Sequence, residues 1–351
     1  MSDATPTVLA TRQGSLARLT LNRPEALNAL TTEMCELLTE ALLGFVGDDA
    51  VSCVLVDGAG ERAFCAGGDV VMLHDSGKAG DGRAENFWRT EYALNALIHR
   101  YTKPYVSLID GIVMGGGVGL SVHGRYRVAG DTTLFAMPET GIGYFPDVGG
   151  TFFLPRLGEG DSLAIGNWLG LTGARLGPAQ CLALDIATHF VPTARHPDLI
   201  DALATGGDVD DILGDFHDTP PDGEPVPDTV QCFAHDSVGA ILDALEADGT
   251  DWAQAQLKQL RRKSPLALAV TLEAMRRGRG LSFRDAMAQE LDLSLNFLAT
   301  QDFYEGIRAQ LIDKDRNPKW SHDGVDSVTT EQVERMFREI AVPRQAFLDK
   351  R

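Results

Sequence analysis

The chain has 351 residues, 44% hydrophobic and 23% charged, which is enough apolar sequence for one large domain plus an extension and too much for a disordered chain. Its net charge of −19 argues against unspecific binding to nucleic acid or anionic membrane, while leaving room for a local basic patch. Cys35, Cys53, Cys65, Cys181 and Cys232 form an odd set without disulfide or metal-ligand spacing, MSDATPT lacks the regions of a signal peptide, and no apolar run could span a bilayer, so reduced thiols, no membrane and a cytoplasmic location are expected.

Residues 7–11 and 15–21 flank a Gln13-Gly14 turn and predict an opening β-hairpin. Met34, Leu37, Leu38, Ala41, Leu42 and Phe45 recur at helical spacing behind Thr31 or Thr32 as cap. A buried strand is predicted over 51–56. Residues 75–85, rich in glycine and charge, predict a flexible loop, and an amphipathic helix follows over about 85–100. Further strands are expected at 105–109, 126–128 and 134–136. Near His196 the composition turns acidic and rich in Gly and Pro, which predicts a connecting segment over 196–235. Beyond it, apolar stripes at Leu257, Leu260, Leu266, Ala267, Val270 and Leu272, and again at Met287, Leu291, Leu293 and Phe297, predict core-facing helices.

The densest chemical signal lies between Met114 and Arg156. Gly115, Gly116 and Gly117 follow an apolar run at the start of a predicted helix, where unshielded backbone N–H groups favour a negatively charged oxygen. Glu139 and Asp147 come next, two separated carboxylates that could activate water or attack a carbonyl. A second glycine-bearing strand exit, GAGERAFCAGGDV, could supply the other N–H to the same oxygen if the fold joins the two loops. Other readings stand beside these: glycines often serve turns or close packing, Asp147 could cap a short helix, and Asp69 reads as a local cap. His123, between apolar neighbours, reads as a packed histidine. Neither G-x-G-x-x-G nor a phosphate loop is present.

AFCAGGD, LNRPEALNAL and IDGIVMGGGVGLS resemble the enoyl-CoA hydratase/isomerase (crotonase) superfamily. FWRTEY, KPYVSLIDGIVMGGGVGLSVHGRYRV, MPETGIGYFPDVGGTFFLPRLG and DFYEGIRAQLIDKDRNPKW resemble its 3-hydroxyisobutyryl-CoA hydrolase branch, from Leu21 to about Trp320. The resemblance implies an α/β fold, a spiral of repeated β-β-α units with a C-terminal α-helical region. The implied organisation is a spiral core over 1–195 carrying the acyl-CoA site, the connecting segment over 196–235, and a helical region over 236–351. It also implies that the N–H groups of Gly68 and Gly116 hold the thioester oxygen, that Glu139 and Asp147 flank the reacting carbon, that Glu91 contacts substrate, and that Lys314 meets coenzyme A.

The implied reaction is hydrolysis of a short β-hydroxyacyl-CoA, 3-hydroxyisobutyryl-CoA, to 3-hydroxyisobutyrate and coenzyme A, as in valine breakdown. Hydratases of the superfamily carry an additional glutamate at the position of Gly119, which this chain lacks. One carboxylate cannot readily deprotonate water while the α carbon receives a proton, so the missing group weighs against hydration. The alternatives are an enoyl-CoA hydratase or isomerase of short acyl-CoAs, and a catalytically silent acyl-CoA binder. No metal or redox cofactor is implied, coenzyme A entering with the substrate. The trimers and hexamers frequent in the superfamily make a homo-oligomer an expectation.

Overall fold

The computed structural model describes residues 6–158, 162–340 and Leu348, so the first five residues of the polar start lie outside the described residues. The hairpin is present as β1 (Val8–Gln13) and β2 (Leu16–Leu21), antiparallel, with Gln13 opposite Leu16 and Gly14 at positive φ. Then α1 (Thr32–Val46) starts on Thr31, whose hydroxyl accepts the Met34 N–H at 3.2 Å, and buries Met34, Cys35, Leu38 and Leu42.

Each following turn of chain lays one strand in a large sheet and the next in a small one, and then leaves both through a helix. The first turn is β3 (Cys53–Gly58), β4 (Ala63–Cys65), α2 (Val70–Ala79) and α3 (Arg83–His99). The second is β5 (Tyr105–Ile109), β6 (Ile112–Met114) and α4 (Gly116–Ser121). The third is β7 (Tyr126–Ala129), β8 (Leu134–Ala136) and the 3₁₀ turn Glu139–Ile142. With β9 (His189–Phe190) the large sheet runs β1-β2-β3-β5-β7-β9, and the small parallel sheet runs β4-β6-β8. This is the expected β-β-α spiral.

Alternation along the strands sends side chains to two buried layers. Ala17, Leu19, Leu21, Val54, Val56, Tyr105 and Ile109 join the main core, whereas Leu16, Cys53, Leu55, Val106, Leu108, Tyr126 and Val128 form a second one. That second layer has to be covered. Between β8 and β9 lie α5 (Gly150–Phe153), α6 (Ala164–Thr172) and α7 (Pro178–Ala183), on the main-core side. The cover comes instead from α8 (His196–Thr205) and α9 (Val209–Phe216), through Leu199, Ile200, Leu203, Val209 and Leu213.

The segment 196–235 is therefore corrected: its first half is folded against the sheet. Its acidic residues crowd the outer faces of two short amphipathic helices, which makes the composition resemble that of a linker. Residues 75–85 also depart from expectation, since α2 and α3 fill most of them and only a short glycine turn separates the two. Gly77 serves close packing there, because a Cβ on it would lie 2.5 Å from the Tyr304 hydroxyl and 2.8 Å from Leu298 Cδ2. Asp69 caps α2, its carboxylate accepting the Met72 N–H at 3.1 Å.

The remaining helices are α10 (Val238–Asp248), α11 (Asp251–Leu260), α12 (Pro265–Gly278), α13 (Phe283–Phe297), α14 (Gln301–Ile307) and α15 (Thr330–Met336), with a π-helical turn Arg308–Ile312 after α14. Ser237, Thr250, Ser264, Ser282 and Thr329 cap five of them. Phe297 of α13 packs on Tyr144 and Phe145, and Phe303 of α14 on Trp88 and Tyr144, joining this region to the spiral.

Candidate active site

Parallel pairing of β4 with β6, Ala63 opposite Ile112 and Cys65 opposite Val113, brings the two glycine-bearing strand exits side by side. A Cβ on Gly115 would lie 3.2 Å from Gly67 Cα, and one on Gly117 would run into the Cys65 carbonyl, so glycine is required for this approach. Gly116 opens α4, and the N–H of a first helical residue has no acceptor within its helix. Gly68 is held by Leu30, with which it forms a parallel bridge. The LNRPEALNAL motif is the scaffold behind it: buried Asn28, at positive φ, donates to the Ala59 and Ala63 carbonyls at 3.0 and 2.9 Å and accepts the Arg23 N–H.

Gly68, Gly116, Glu91, Glu139 and Asp147 line one cavity of about 540 Å³, together with Phe87, Trp88, Tyr144, Lys263 and Phe303. Glu139 begins the 3₁₀ turn after β8, and its Oε1 lies 3.4 Å from where a Cβ of Gly115 would stand. Glu91 projects from α3, its Oε1 lying 2.6 Å from the corresponding point on Gly116. Glu139 Oε2 and Glu91 Oε1 are buried without a hydrogen-bond partner. Asp147 is placed differently. Its Oδ2 accepts the Tyr92 hydroxyl at 2.7 Å and the Tyr144 hydroxyl at 3.3 Å, so it does not serve as the helix cap that the sequence allowed.

The turn that presents Asp147 is strained. Val148 sits at φ 53°, a region costly for a β-branched residue, on the order of 1–3 kcal/mol. Surrounding groups hold it there. Glu290 of α13 accepts the Gly149 N–H at 2.7 Å, the Thr151 N–H at 2.9 Å and the Thr151 hydroxyl, while the Val148 carbonyl lies 2.6 Å from His123 Nε2. His123 is thus the packed, hydrogen-bonded histidine expected, stacked edge-on to Phe283.

Burial and mutual repulsion set the proton affinities. Burial, then the Asp147 charge, push Glu139 well above the usual carboxylate range, and Lys263 opposes this. Glu91 is raised by burial and by the charges of Asp147 and Glu290. Asp147 rises only to about 6, because the tyrosine hydroxyls that donate to its charged form offset part of the burial. Burial lifts Glu290 to about 8 and depresses Lys263 to about 8.

Gly119 has no space for the additional hydratase carboxylate: a Cβ there would stand 2.7 Å from both Asn95 Nδ2 and Val148 Cβ. Lys314, expected at coenzyme A, is exposed at positive φ and lines neither the cavity nor its basic neighbour. That neighbour shares Gly141, Gln259, Lys263 and Gln310 with the first cavity and adds Arg261, Arg262, Arg316 and Trp320. Sequence reasoning missed Lys263, Tyr92, Tyr144 and Glu290. The two tyrosines stand inside quoted motifs beside Glu91 and Asp147, whereas nothing local marks Lys263 or Glu290.

A family profile described as Enoyl-CoA hydratase/isomerase matches residues 16–337. The chain is 42% identical to the mitochondrial 3-hydroxyisobutyryl-CoA hydrolase of Xenopus tropicalis over 94% of this chain and 88% of that one. Two crystal structures are similar to it throughout. One, described as a carnitinyl-CoA dehydratase from Mycobacterium thermoresistibile, has a TM-score of 0.91 at 41% identity, covering 99% of this chain and 100% of that one. The other, an enoyl-CoA hydratase from Rhodobacter sphaeroides, has a TM-score of 0.84 at 43% identity, covering 95% and 98%. The hydrolase relative is named as mitochondrial, so the cytoplasmic expectation draws no support from it. Among the described residues no helix is long and apolar enough to cross a membrane.

Proposed function

As this chain belongs to the enoyl-CoA hydratase/isomerase family, we propose that it works in the 3-hydroxyisobutyryl-CoA hydrolase branch, cleaving the thioester of a short β-hydroxyacyl-CoA to the free acid and coenzyme A. The observation that carries this reading is the carboxylate set: Glu139 and Asp147 share the cavity while the hydratase position, Gly119, is closed by Asn95 and Val148.

In this reading the thioester oxygen lies between the Gly68 and Gly116 N–H groups, each such donor contributing on the order of 3 kcal/mol to the developing oxyanion. Glu139, bare of hydrogen-bond donors at Oε2 and facing the glycine loop, takes a proton from the water that attacks the carbonyl carbon, or attacks that carbon itself to form a mixed anhydride that water then hydrolyses to the free acid and the Glu139 carboxylate. The sulfur leaves with the electron pair of the broken C–S bond and ends as the thiol, with the proton that the water gave up. Glu91 and Asp147 receive the β-hydroxyl and order the acyl group, and the aromatic wall of Trp88, Tyr144 and Phe303 limits its size. The phosphates of coenzyme A meet Arg261, Arg262, Lys263 and Arg316, with Trp320 beside them, in place of Lys314. Only protein groups and water take part, and coenzyme A enters as part of the substrate.

The names of the two similar crystal structures favour a second reading, hydration or dehydration of a short acyl-CoA. Thiol release from 3-hydroxyisobutyryl-CoA, with 3-hydroxypropionyl-CoA and crotonyl-CoA as comparators, separates the two. Selective release from the hydroxyacyl substrates is expected. Loss of the crotonyl double bond without thiol release would replace the hydrolase reading with the second one.

A further inference from the structure

Asp147 sits in a closed cluster of hydroxyls that the reaction as drawn does not use. The Tyr92 hydroxyl is 2.7 Å from Asp147 Oδ2 and 2.8 Å from Ser294 Oγ. The Tyr144 hydroxyl lies 3.3 Å from the same carboxylate oxygen and 2.6 Å from Ser294 Oγ, its one proton serving one of them at a time, while Ser294 Oγ lies 2.7 Å from the Glu290 carbonyl. All four side chains are buried. The cluster spans three parts of the fold, since Tyr92 is on α3, Tyr144 and Asp147 belong to the segment after β8, and Ser294 is on α13.

We propose that Tyr92 and Tyr144, fixed by Ser294, are positioning residues that hold Asp147 ionised in the working enzyme, so that Glu139 and not Asp147 is the carboxylate that takes up a proton. This rests on the hydrolase reading for its chemical meaning. The geometry separates the two acids: Asp147 receives phenol O–H donors, which favour its charged form, whereas Glu139 Oε2 receives none. The groups facing Asp147 are Glu91 and Tyr92 from α3, Glu139 and Tyr144 from the segment after β8, and Glu290 from α13, with Lys263 standing against Glu139 and Arg175 beside Lys263. Burial pushes a proton onto Asp147, and the phenols oppose it. An ionised Asp147 then raises the proton affinity of Glu139 across the cavity, as a base requires.

The test is an infrared titration of the free protein, with the Asp147 carboxyl band assigned by Asp147→Asn. In the unaltered chain Asp147 is expected to ionise near pH 6. Tyr92→Phe keeps the ring and removes the shorter bond, so the midpoint rises by about one pH unit. Tyr144→Phe moves it in the same direction by less, and serves if the first variant does not fold. An unchanged or lowered midpoint in folded Tyr92→Phe overturns the proposal. The titration needs no turnover, so a protein that releases no thiol yet shows the rise loses the hydrolase reading and keeps the hydroxyl device.

Discussion

The spiral and the C-terminal helices contribute to the same cavity in different ways. The spiral supplies groups that line it, Gly68, Glu91, Gly116 and Glu139 at strand exits or on the helices that follow, and Asp147 on the loop before α5. The helical region supplies Phe303 and Lys263 to the wall, and behind the wall Glu290, which bonds Gly149 and Thr151 on the loop after Asp147, and Ser294, which meets the Tyr92 and Tyr144 hydroxyls beside Asp147. Chemistry is thus placed by backbone that the strands dictate, whereas its orientation depends on side chains delivered from a distant part of the chain.

Substitutions on either side of this division should behave differently, and the largest effect belongs to the spiral. Glu139→Gln should lower thiol release by 10³-fold or more, on the order of what a lost base or nucleophile costs, with an unchanged melting temperature. Near-normal turnover would remove Glu139 from the chemistry. Glu290→Gln turns an amide N–H₂ towards donors that now find a carboxylate, so it should cost about 2–3 kcal/mol of stability in denaturant melts and lower kcat about 10²-fold as Asp147 shifts. Wild-type kcat in that variant would reduce the helical region to scaffolding.

Lys263→Ala should raise KM for the acyl-CoA about tenfold, the cation being shared by the acyl and basic cavities. Steady-state kinetics at fixed pH would show it. Lys314→Ala, by the same assay, should leave KM within about twofold, because that side chain lines neither cavity. A tenfold rise there would return Lys314 to the coenzyme A path.

What was legible in the sequence follows the same division. The hairpin, the Thr31 cap, the β-β-α turns and the glycine exits depend on neighbours within a few residues, so residue type and spacing announce them. Gly68, Gly116, Glu91, Glu139 and Asp147 stand inside compact motifs and meet in one cavity. Residues 196–216 were misjudged because their charge is visible in composition and their task, covering the outer face of a sheet, is not. Gly77 looked like a loop glycine because the ring that demands it, Tyr304, is supplied from α14. Glu290 gave no signal for a similar reason, as its partners lie on the loop after Asp147.

The clamp on the Asp147 turn also fixes when the enzyme can first work. Glu290 and Gly149 are 141 positions apart, and Ser294 and Tyr92 are 202 apart, so both bonds close loops longer than any link within a single β-β-α turn. During synthesis the spiral emerges first, bringing His123 to the Val148 carbonyl, whereas the Glu290 acceptor for the N–H groups of the carboxylate turn arrives only once α13 has been made and docked. Assembly from the amino terminus therefore leaves catalysis until last. In refolding from denaturant, recovery of thiol release should trail the far-ultraviolet signal of the sheet.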